Sequence, residues 1–141
     1  MNSPLAILDS NIYIGHWQSR AFQEEMLFAR NRFLIRQCSV VLHELRRGAQ
    51  TPQAIRLVEN LLRYSPEILN PTDTDWWRAA QILKNLGPLK RISKKRLKDL
   101  QNDCLIALCA RRIGGVVITA DRNDFSLLEK LLPCRVLYWQ S

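Results

Sequence analysis

The stretch G-G-V-V-I-T-A-D-R-N-D-F, residues 114–125, joins a strand pattern to two carboxylates. Residues 116–119 form a short, nearly continuous apolar run, which is typical of a strand buried on both faces of a parallel sheet. The two glycines before this run match the signal that ends a preceding helix. Asp121 and Asp124 follow the run closely. The stretch therefore predicts a buried strand whose carboxyl end carries acids, and these acids either face water or hold a ligand.

Similar apolar runs alternate with helical patterns along the rest of the chain. Residues 5–8 (L-A-I-L) predict another buried strand, and the remaining strand candidates are residues 33–41, 67–70 and 134–138. Two helices have clear end signals: one covers residues 52–64 after the start signal Thr51-Pro52, and one runs from Thr72 or Asp73 to a stop at Gly87-Pro88. The other predicted helices cover most of residues 12–37, residues 40–47, residues 99–113 and residues 126–131. Strands that alternate with helices predict an α/β fold, with a central parallel sheet covered on both faces.

Length, charge and cysteine usage limit the classes of protein to consider. The 141 residues fit one domain over residues 1–141, and the net charge of +8 favours a polyanionic partner, nucleic acid above all. The four cysteines show no zinc-site spacing, so they are expected to be reduced core residues of a cytoplasmic protein. We expect no signal peptide and no membrane association, because the N-terminal apolar run is short and no run approaches a spanning length.

Acids follow several of the predicted strands at the point where each strand ends. Asp9 directly follows residues 5–8, and Asp121 lies just after residues 116–119. Ligands of open parallel sheets bind beyond the carboxyl ends of the strands, so these two carboxylates are expected to meet at one edge. Asp103 lies near the start of the helix that leads into the second strand, on the same helical face as Asp99, and one of these two is predicted to reach the same edge. Glu44, early in another helix, is also placed at the carboxyl end of a strand.

Carboxylates crowded in this way repel one another unless a cation joins them. Mg²⁺ and Mn²⁺ take carboxylate and water oxygens, and such an ion suits phosphodiester hydrolysis. Each acid also has a plain structural reading. Asp9 can serve as a helix N-cap, Asp124 can cap a helix that begins near Ser126, and Glu44 can pair with Arg47 in solvent. The joint occurrence of the acids at strand ends favours a site.

Several other catalytic motifs are excluded by the residues present. His43-Glu44 begins like H-E-x-x-H, but Arg47 stands where the second histidine is needed. There is no glycine-rich phosphate loop for a nucleoside triphosphate. The basic run at residues 90–98 is either a solvated segment or a strip of side chains that binds phosphates. The pair Trp76-Trp77 is predicted to fill a core or an interface in preference to stacking on bases.

Four motifs in order resemble those of PIN-domain ribonucleases, and most closely the VapC-type toxins of toxin–antitoxin pairs. They are L-A-I-L-D-S-N-I, V-V-L-H-E-L-R-R-G-A, N-D-C-L-I-A-L-C-A and V-V-I-T-A-D-R-N-D-F, and they span nearly the whole chain. The resemblance implies a three-layer α/β/α sandwich and an endoribonuclease that depends on Mg²⁺ or Mn²⁺. The alternatives are a silent RNA-binding or regulatory module on the same fold, and a PIN nuclease that acts in RNA maturation or on DNA.

The resemblance also assigns residues and partners. It implies the catalytic acids Asp9, Glu44, Asp103 and Asp121, and the metal ligands Asp9, Asp103, Asp121 and Asp124, with Thr119 orienting Asp121 or a water. Members of the family usually dimerise and are held inactive by an antitoxin, so a homodimer and a cognate antitoxin are expected partners beside the RNA substrate. The helix at residues 52–64 and Trp76-Trp77 are candidate surfaces for them. The basic run is heavier than the family pattern, which puts the choice of substrate in doubt.

Overall fold

A computed structural model describes residues 3–90 and 92–140, with the backbone alone at residues 87–90. In chain order its elements are β1 (Leu5–Leu8), α1 (Ser10–Ser19), α2 (Gln23–Arg32), β2 (Leu34–Ile35), β3 (Gln37–Cys38), α3 (Ser39–Gly48), α4 (Pro52–Arg63), β4 (Ile68–Leu69), α5 (Asp73–Lys90), α6 (Lys94–Arg112), β5 (Val116–Thr119), α7 (Arg122–Glu129) and β6 (Arg135–Tyr138).

The central sheet has four parallel strands in the order β2-β1-β5-β6, and β3 pairs with β4 in a separate small parallel sheet. Leu8 of β1 lies opposite Ile118 of β5, so the two strands end at the same level. Ala6, Ile7 and Leu8 are all buried although successive side chains of a strand point to opposite faces. Both faces of the sheet are therefore covered, which confirms the predicted α/β fold with a central parallel sheet.

Local cap signals place several helix ends where the sequence predicts them. The Thr51 side chain caps α4 by accepting a hydrogen bond from the Ala54 N–H. Gly114 follows α6 with a positive φ of 67°, and the Gly115 N–H bonds the Ala110 carbonyl in a Schellman arrangement. A side chain at Gly115 would meet the Leu5 carbonyl oxygen at 2.9 Å, so this glycine allows β5 to lie close to β1.

Three of the predicted element boundaries are wrong. Residues 33–41 form two short strands and a helix start instead of one strand, because the chain leaves the central sheet after Arg36 and then pairs with β4. Residues 12–37 hold two helices, separated by a turn in which Arg20 and Phe22 both have positive φ. The helix α5 continues through Gly87-Pro88 to Lys90, although both residues are disfavoured inside a helix.

Two further corrections concern the candidate site. The helix α6 begins at Lys94, with Ser93 as its N-cap, so Asp103 lies in the middle of that helix and not near its start. Residues 94–98 of the basic run are helical, while Arg91 lies outside the described residues. The helix α7 begins at Arg122 and its N-cap is Asp121, which removes the reading of Asp124 as the cap of a helix near Ser126.

The remaining structural expectations concern cysteines, tryptophans and membranes. All four cysteines are free, and Cys134 alone is only partly buried. Trp76 and Trp77 are 49% and 72% exposed, so the predicted core role of this pair is wrong and the interface reading stays a prediction. Within the described ranges, no helix combines the length and the apolar character that crossing a bilayer requires.

Candidate metal centre

The site is built where β1 and β5 end side by side. Asp9 follows β1 as the N-cap of α1, and its Oδ1 accepts a hydrogen bond from the Ser10 N–H at 2.8 Å. The Asp9 N–H in turn bonds the Ile118 carbonyl of β5 at 2.9 Å. The predicted N-cap role of Asp9 is therefore correct, and its carboxylate also lies at the shared carboxyl edge of the sheet.

The Thr119 hydroxyl joins the ends of the two strands. It is fully buried and donates to Oδ2 of Asp9 at 2.7 Å. The Thr119 Oγ1 oxygen accepts hydrogen bonds from the Asp121 N–H at 3.0 Å and from the Asn11 side-chain amide at 3.3 Å. Asn11 also accepts a hydrogen bond from the Ala120 N–H at 3.0 Å. These contacts hold the Asp9 carboxylate and the start of the Asp121 turn in one fixed arrangement.

Three carboxylates lie at metal-ligand spacing beside this arrangement. Asp103, Asp121 and Asp124 each offer one oxygen, and these oxygens lie within 4.8 Å of one another. Asp103 comes from α6 and is 7% exposed, whereas the other two come from the start of α7 and are partly buried. The Asp121 carboxylate caps α7 by accepting a hydrogen bond from the Asp124 N–H. We refer to these three residues as the aspartate triad.

Glu44 approaches the same edge from the middle of α3. Its Oε2 accepts a hydrogen bond from the Asn102 side chain at 3.4 Å, while its Oε1 is buried without a hydrogen-bond partner among the described residues. Burial, followed by the negative charge of Asp9, raises the pKa of Glu44 to about 7. A solvated pair with Arg47 is thus not formed, since no ion pair of Glu44 occurs in the part of the chain described. An unpartnered buried carboxylate oxygen is expensive unless it has a ligand.

The electrostatics of the edge favour a bound cation. Burial is the largest cause that raises the pKa of Asp9, Asp103 and Asp121 above their usual range. The charge of Asp9 raises the pKa of Asp103 further, and the other acids of the edge act in the same direction. Within the described ranges, the one ion pair formed by these acids is that of Arg96 with Asp124. Buried carboxylates in excess of their cationic partners are an environment that a divalent cation stabilises.

The donor set fits a hard divalent cation. All the convergent groups are carboxylate oxygens, which are the ligands of Mg²⁺ and Mn²⁺, and no thiol or imidazole belongs to the aspartate triad. The Oε1 atom of Glu44, which has no hydrogen-bond partner among the described residues, and the raised pKa values of Glu44 and Asp103 both indicate that positive charge is lacking at this edge. The residues present therefore fit Mg²⁺ or Mn²⁺ better than they fit zinc.

The structure brings together all the acids that the sequence singled out, with different surroundings for each. The aspartate triad has ligand spacing, whereas both Asp9 oxygens already accept hydrogen bonds, so direct metal contact by Asp9 stays a prediction. Asp99, on the helical face of Asp103, is exposed. Sequence reasoning overlooked Asn11 and Asn102 as site residues, although each lies beside a predicted acid in D-S-N and N-D.

A basic groove runs away from the site between α3, α5 and α6. It has a volume of about 550 Å³, and Asn102, the partner of Glu44, lies at its wall. The groove is lined by the cationic side chains of Arg47, Lys95 and Lys98, by the carboxylate of Asp99 and by Trp76. The basic run thus contributes two of its lysines to a surface that leads to the acids. We call this surface the basic groove.

Comparison with known proteins places the fold. Structures with the same fold include a chain of VapBC2 from Rickettsia felis bound to a DNA fragment from their promoter, with a TM-score of 0.66, 18% identity, and coverage of 96% of this chain and 99% of that chain. A chain of VapBC-1 from nontypeable Haemophilus influenzae gives a TM-score of 0.67 at 23% identity, with 96% and 98% covered. A chain of DNA-bound VapBC from Salmonella typhimurium gives 0.63 at 22%, with 99% of both chains covered.

At these identities the structural matches show likeness of fold, and the assignment to a family comes from the sequence. A search of curated proteins finds no significant match. The family model described as PIN domain matches residues 6–131, which include β5, all of β1 but its first residue, and all five acids of the site. The chain therefore belongs to the PIN-domain family.

Proposed function

We propose that this protein is a metal-dependent endoribonuclease, the toxin of a toxin–antitoxin pair, which uses Mg²⁺ or Mn²⁺ to hydrolyse RNA phosphodiester bonds. The observation that carries the proposal is the aspartate triad, with oxygens within 4.8 Å of one another next to the unpartnered Oε1 of Glu44. Membership in the PIN-domain family and the shared fold of VapBC chains support it.

Each acid has a distinct part in this proposal. The aspartate triad holds the divalent ion, which when bound polarises the phosphodiester and eases deprotonation of water. Thr119 and Asn11 orient Asp9 toward the triad. Glu44 is placed to accept the proton of the attacking water, because one of its carboxylate oxygens is buried beside the other acids without a hydrogen-bond partner among the described residues. Asn102 fixes the Glu44 side chain for that step.

RNA is the substrate that the charge distribution supports. The net charge of +8 attracts a polyanion, and the basic groove offers Arg47, Lys95 and Lys98 to phosphates. Trp76, 49% exposed at the same groove, offers a face on which an unpaired base can stack. An RNA substrate places the protein in the cytoplasm. A DNA substrate and a silent binding module are the alternatives that the experiment must separate.

Incubation with single-stranded and structured RNA tests the proposal. Cleavage is expected with Mn²⁺ or Mg²⁺ and none with EDTA, and a DNA strand of the same sequence serves as the matched substrate. Binding to RNA is expected to weaken as salt rises, since each phosphate that the protein neutralises releases counterions and makes the slope of log affinity against log salt more negative by roughly 0.7 for a single strand. Binding without cleavage under all metal conditions would favour the silent module, and cleavage of DNA alone would favour a DNA nuclease.

We further propose that a small antitoxin and a second copy of this chain are the protein partners. VapBC-5 from Mycobacterium tuberculosis, a chain of which shares this fold, is described as a member of the VapBC family of toxin–antitoxin systems. A largely apolar cleft of about 400 Å³ between α1 and α4 includes Ile14, Trp17 and Leu57, and it is suited to an apolar helix of a partner. Trp77, 72% exposed on α5, is suited to burial between two copies.

Light scattering tests both partners in one series. The chain alone is expected to give twice its 16.4 kDa mass, and the Trp77→Ala variant is expected to shift toward one chain. Addition of the short protein encoded by the neighbouring reading frame should raise the mass and stop RNA cleavage. A monomeric mass at all concentrations would reject the homodimer, and unchanged mass and cleavage with that protein would reject it as the antitoxin.

A further inference from the structure

The first turn of α6 contains three consecutive basic residues. Lys94, Lys95 and Arg96 follow the Ser93 N-cap, and the turn contains no acid. The N-terminus of a helix is the positive end of its dipole, so cations there are unfavourable by electrostatics alone. The three side chains diverge, with Lys95 at the basic groove and Arg96 directed to the start of α7.

Arg96 forms an ion pair with a member of the aspartate triad. Its Nε and Nη2 donate to Oδ1 of Asp124 at 3.3 and 3.1 Å, and the Asp124 side chain is only 13% exposed. The positive charge of Arg96 also opposes the rise in the pKa of Asp121. A guanidinium in this position neutralises part of the charge that a divalent ion would neutralise.

The other side of Arg96 faces an open cleft beside the triad. The cleft has a volume of about 570 Å³ and is lined by Arg96, Lys130, Asn123 and Ser126 together with Asp121 and Asp124. It lies on the α7 side of α6, away from the basic groove, whose lining includes neither Arg96 nor Lys130. Two cations and two neutral hydrogen-bonding side chains around such a space suit one phosphodiester group of a nucleic acid.

We propose that Arg96 pairs with the Asp124 carboxylate in the metal-free protein and that the divalent ion displaces it. The displaced guanidinium then contacts a substrate phosphodiester in the cleft beside α7. This inference rests on the proposed function. It adds Arg96 as a substrate-binding residue, and it adds a competition between Arg96 and the divalent ion for Asp124. The Arg96 side chain is 46% exposed and already lines the cleft, so its guanidinium can leave Asp124 for the cleft without disturbing the buried core. A partly exposed ion pair is weak enough for a divalent ion to displace it.

Calorimetric titration with Mn²⁺ of wild type, Arg96→Gln and Lys94→Gln tests the competition. Both substitutions remove one positive charge from the same helical turn, but only Arg96 contacts Asp124. Arg96→Gln is expected to bind Mn²⁺ about two- to fivefold more tightly than Lys94→Gln, as the loss of an exposed ion pair predicts. Arg96→Lys, which keeps the charge, should lie between wild type and Arg96→Gln. Equal affinity of the two Gln variants would overturn the competition.

Steady-state cleavage of RNA tests the phosphate contact. In saturating Mn²⁺, Arg96→Gln is expected to raise KM about tenfold relative to Lys94→Gln, which is the scale of one charge-assisted hydrogen bond. An unchanged KM would overturn this contact. If wild type neither binds Mn²⁺ nor cleaves RNA, the proposed function itself fails, whereas wild-type binding and cleavage with indistinguishable Gln variants reject only the role of Arg96.

Discussion

Asp103→Asn is expected to reduce kcat for RNA cleavage by at least about a hundredfold, because even partners of metal ligands commonly contribute ten- to a hundredfold. The side chain lies in the middle of α6, is 7% exposed and shares metal-ligand spacing with Asp121 and Asp124. Asparagine has nearly the same shape but lacks the negative charge, so the substitution removes a ligand without opening a cavity. A discontinuous assay of RNA cleavage in Mn²⁺ measures the loss.

Asp99→Asn is the matched control for this substitution. It removes a carboxylate from the same face of the same helix, one turn earlier, but the Asp99 side chain is exposed and lies outside the aspartate triad. Its kcat is expected to stay within about twofold of wild type, since Asp99 offers no oxygen to the aspartate triad, and any effect of this groove residue is expected in KM. Full activity of Asp103→Asn, or an equal loss in both variants, would contradict the assignment of Asp103 to the metal centre.

The second large effect is a dependence of stability on pH that reverses when metal is added. The pKa of Glu44 rises from 4.5 to about 7, and those of Asp9 and Asp103 also lie above their usual range. The folded protein therefore binds more protons than the unfolded chain between pH 4.5 and 7. Stability is lost as pH rises through this window, because the unfolded carboxyls ionise freely while the folded ones resist ionisation.

For the metal-free protein this effect amounts to about 1–2 kcal/mol from Glu44, reduced for its partial exposure to solvent. The melting temperature in EDTA is thus expected to fall by about 3–6 °C between pH 5 and pH 8. Mn²⁺ at a hundredfold excess over its Kd should add about 2.7 kcal/mol. That gain grows with pH, since ligand carboxyls must lose their protons to bind metal.

Melting curves at several pH values, with EDTA or with Mn²⁺, measure both trends. Asp103→Asn is expected to melt higher than wild type in EDTA, because asparagine removes the cost of keeping a buried carboxyl protonated in the folded state, and to lose most of the Mn²⁺ shift. A higher melting temperature in EDTA together with a smaller shift in Mn²⁺ distinguishes the loss of a metal ligand from a general loss of stability. Parallel pH profiles with and without Mn²⁺ would contradict the proposed coupling between the acids and the ion.

Much of the fold could be predicted because its signals are local. Consecutive apolar residues in L-A-I-L and V-V-I-T predict strands buried on both faces, and both lie in the central sheet. Thr51-Pro52 and Gly114-Gly115 act through atoms only a few residues away, so their helix ends are where the sequence predicts them. The short strands were harder to delimit, because two-residue pairings such as β3 with β4 depend on a distant partner.

The sequence by itself determined that Asp9 and Asp121 follow the strands β1 and β5, and the parallel pairing of these strands then brought Asp9 to Thr119. Only the tertiary structure decided how these acids differ. The start of α6 at Lys94 carries Asp103 into the interior, and the start of α7 at Arg122 makes Asp121 the cap. Burial, the buried Thr119 hydroxyl and the Arg96 guanidinium come from segments far apart in the chain, so no local pattern of residues encodes them.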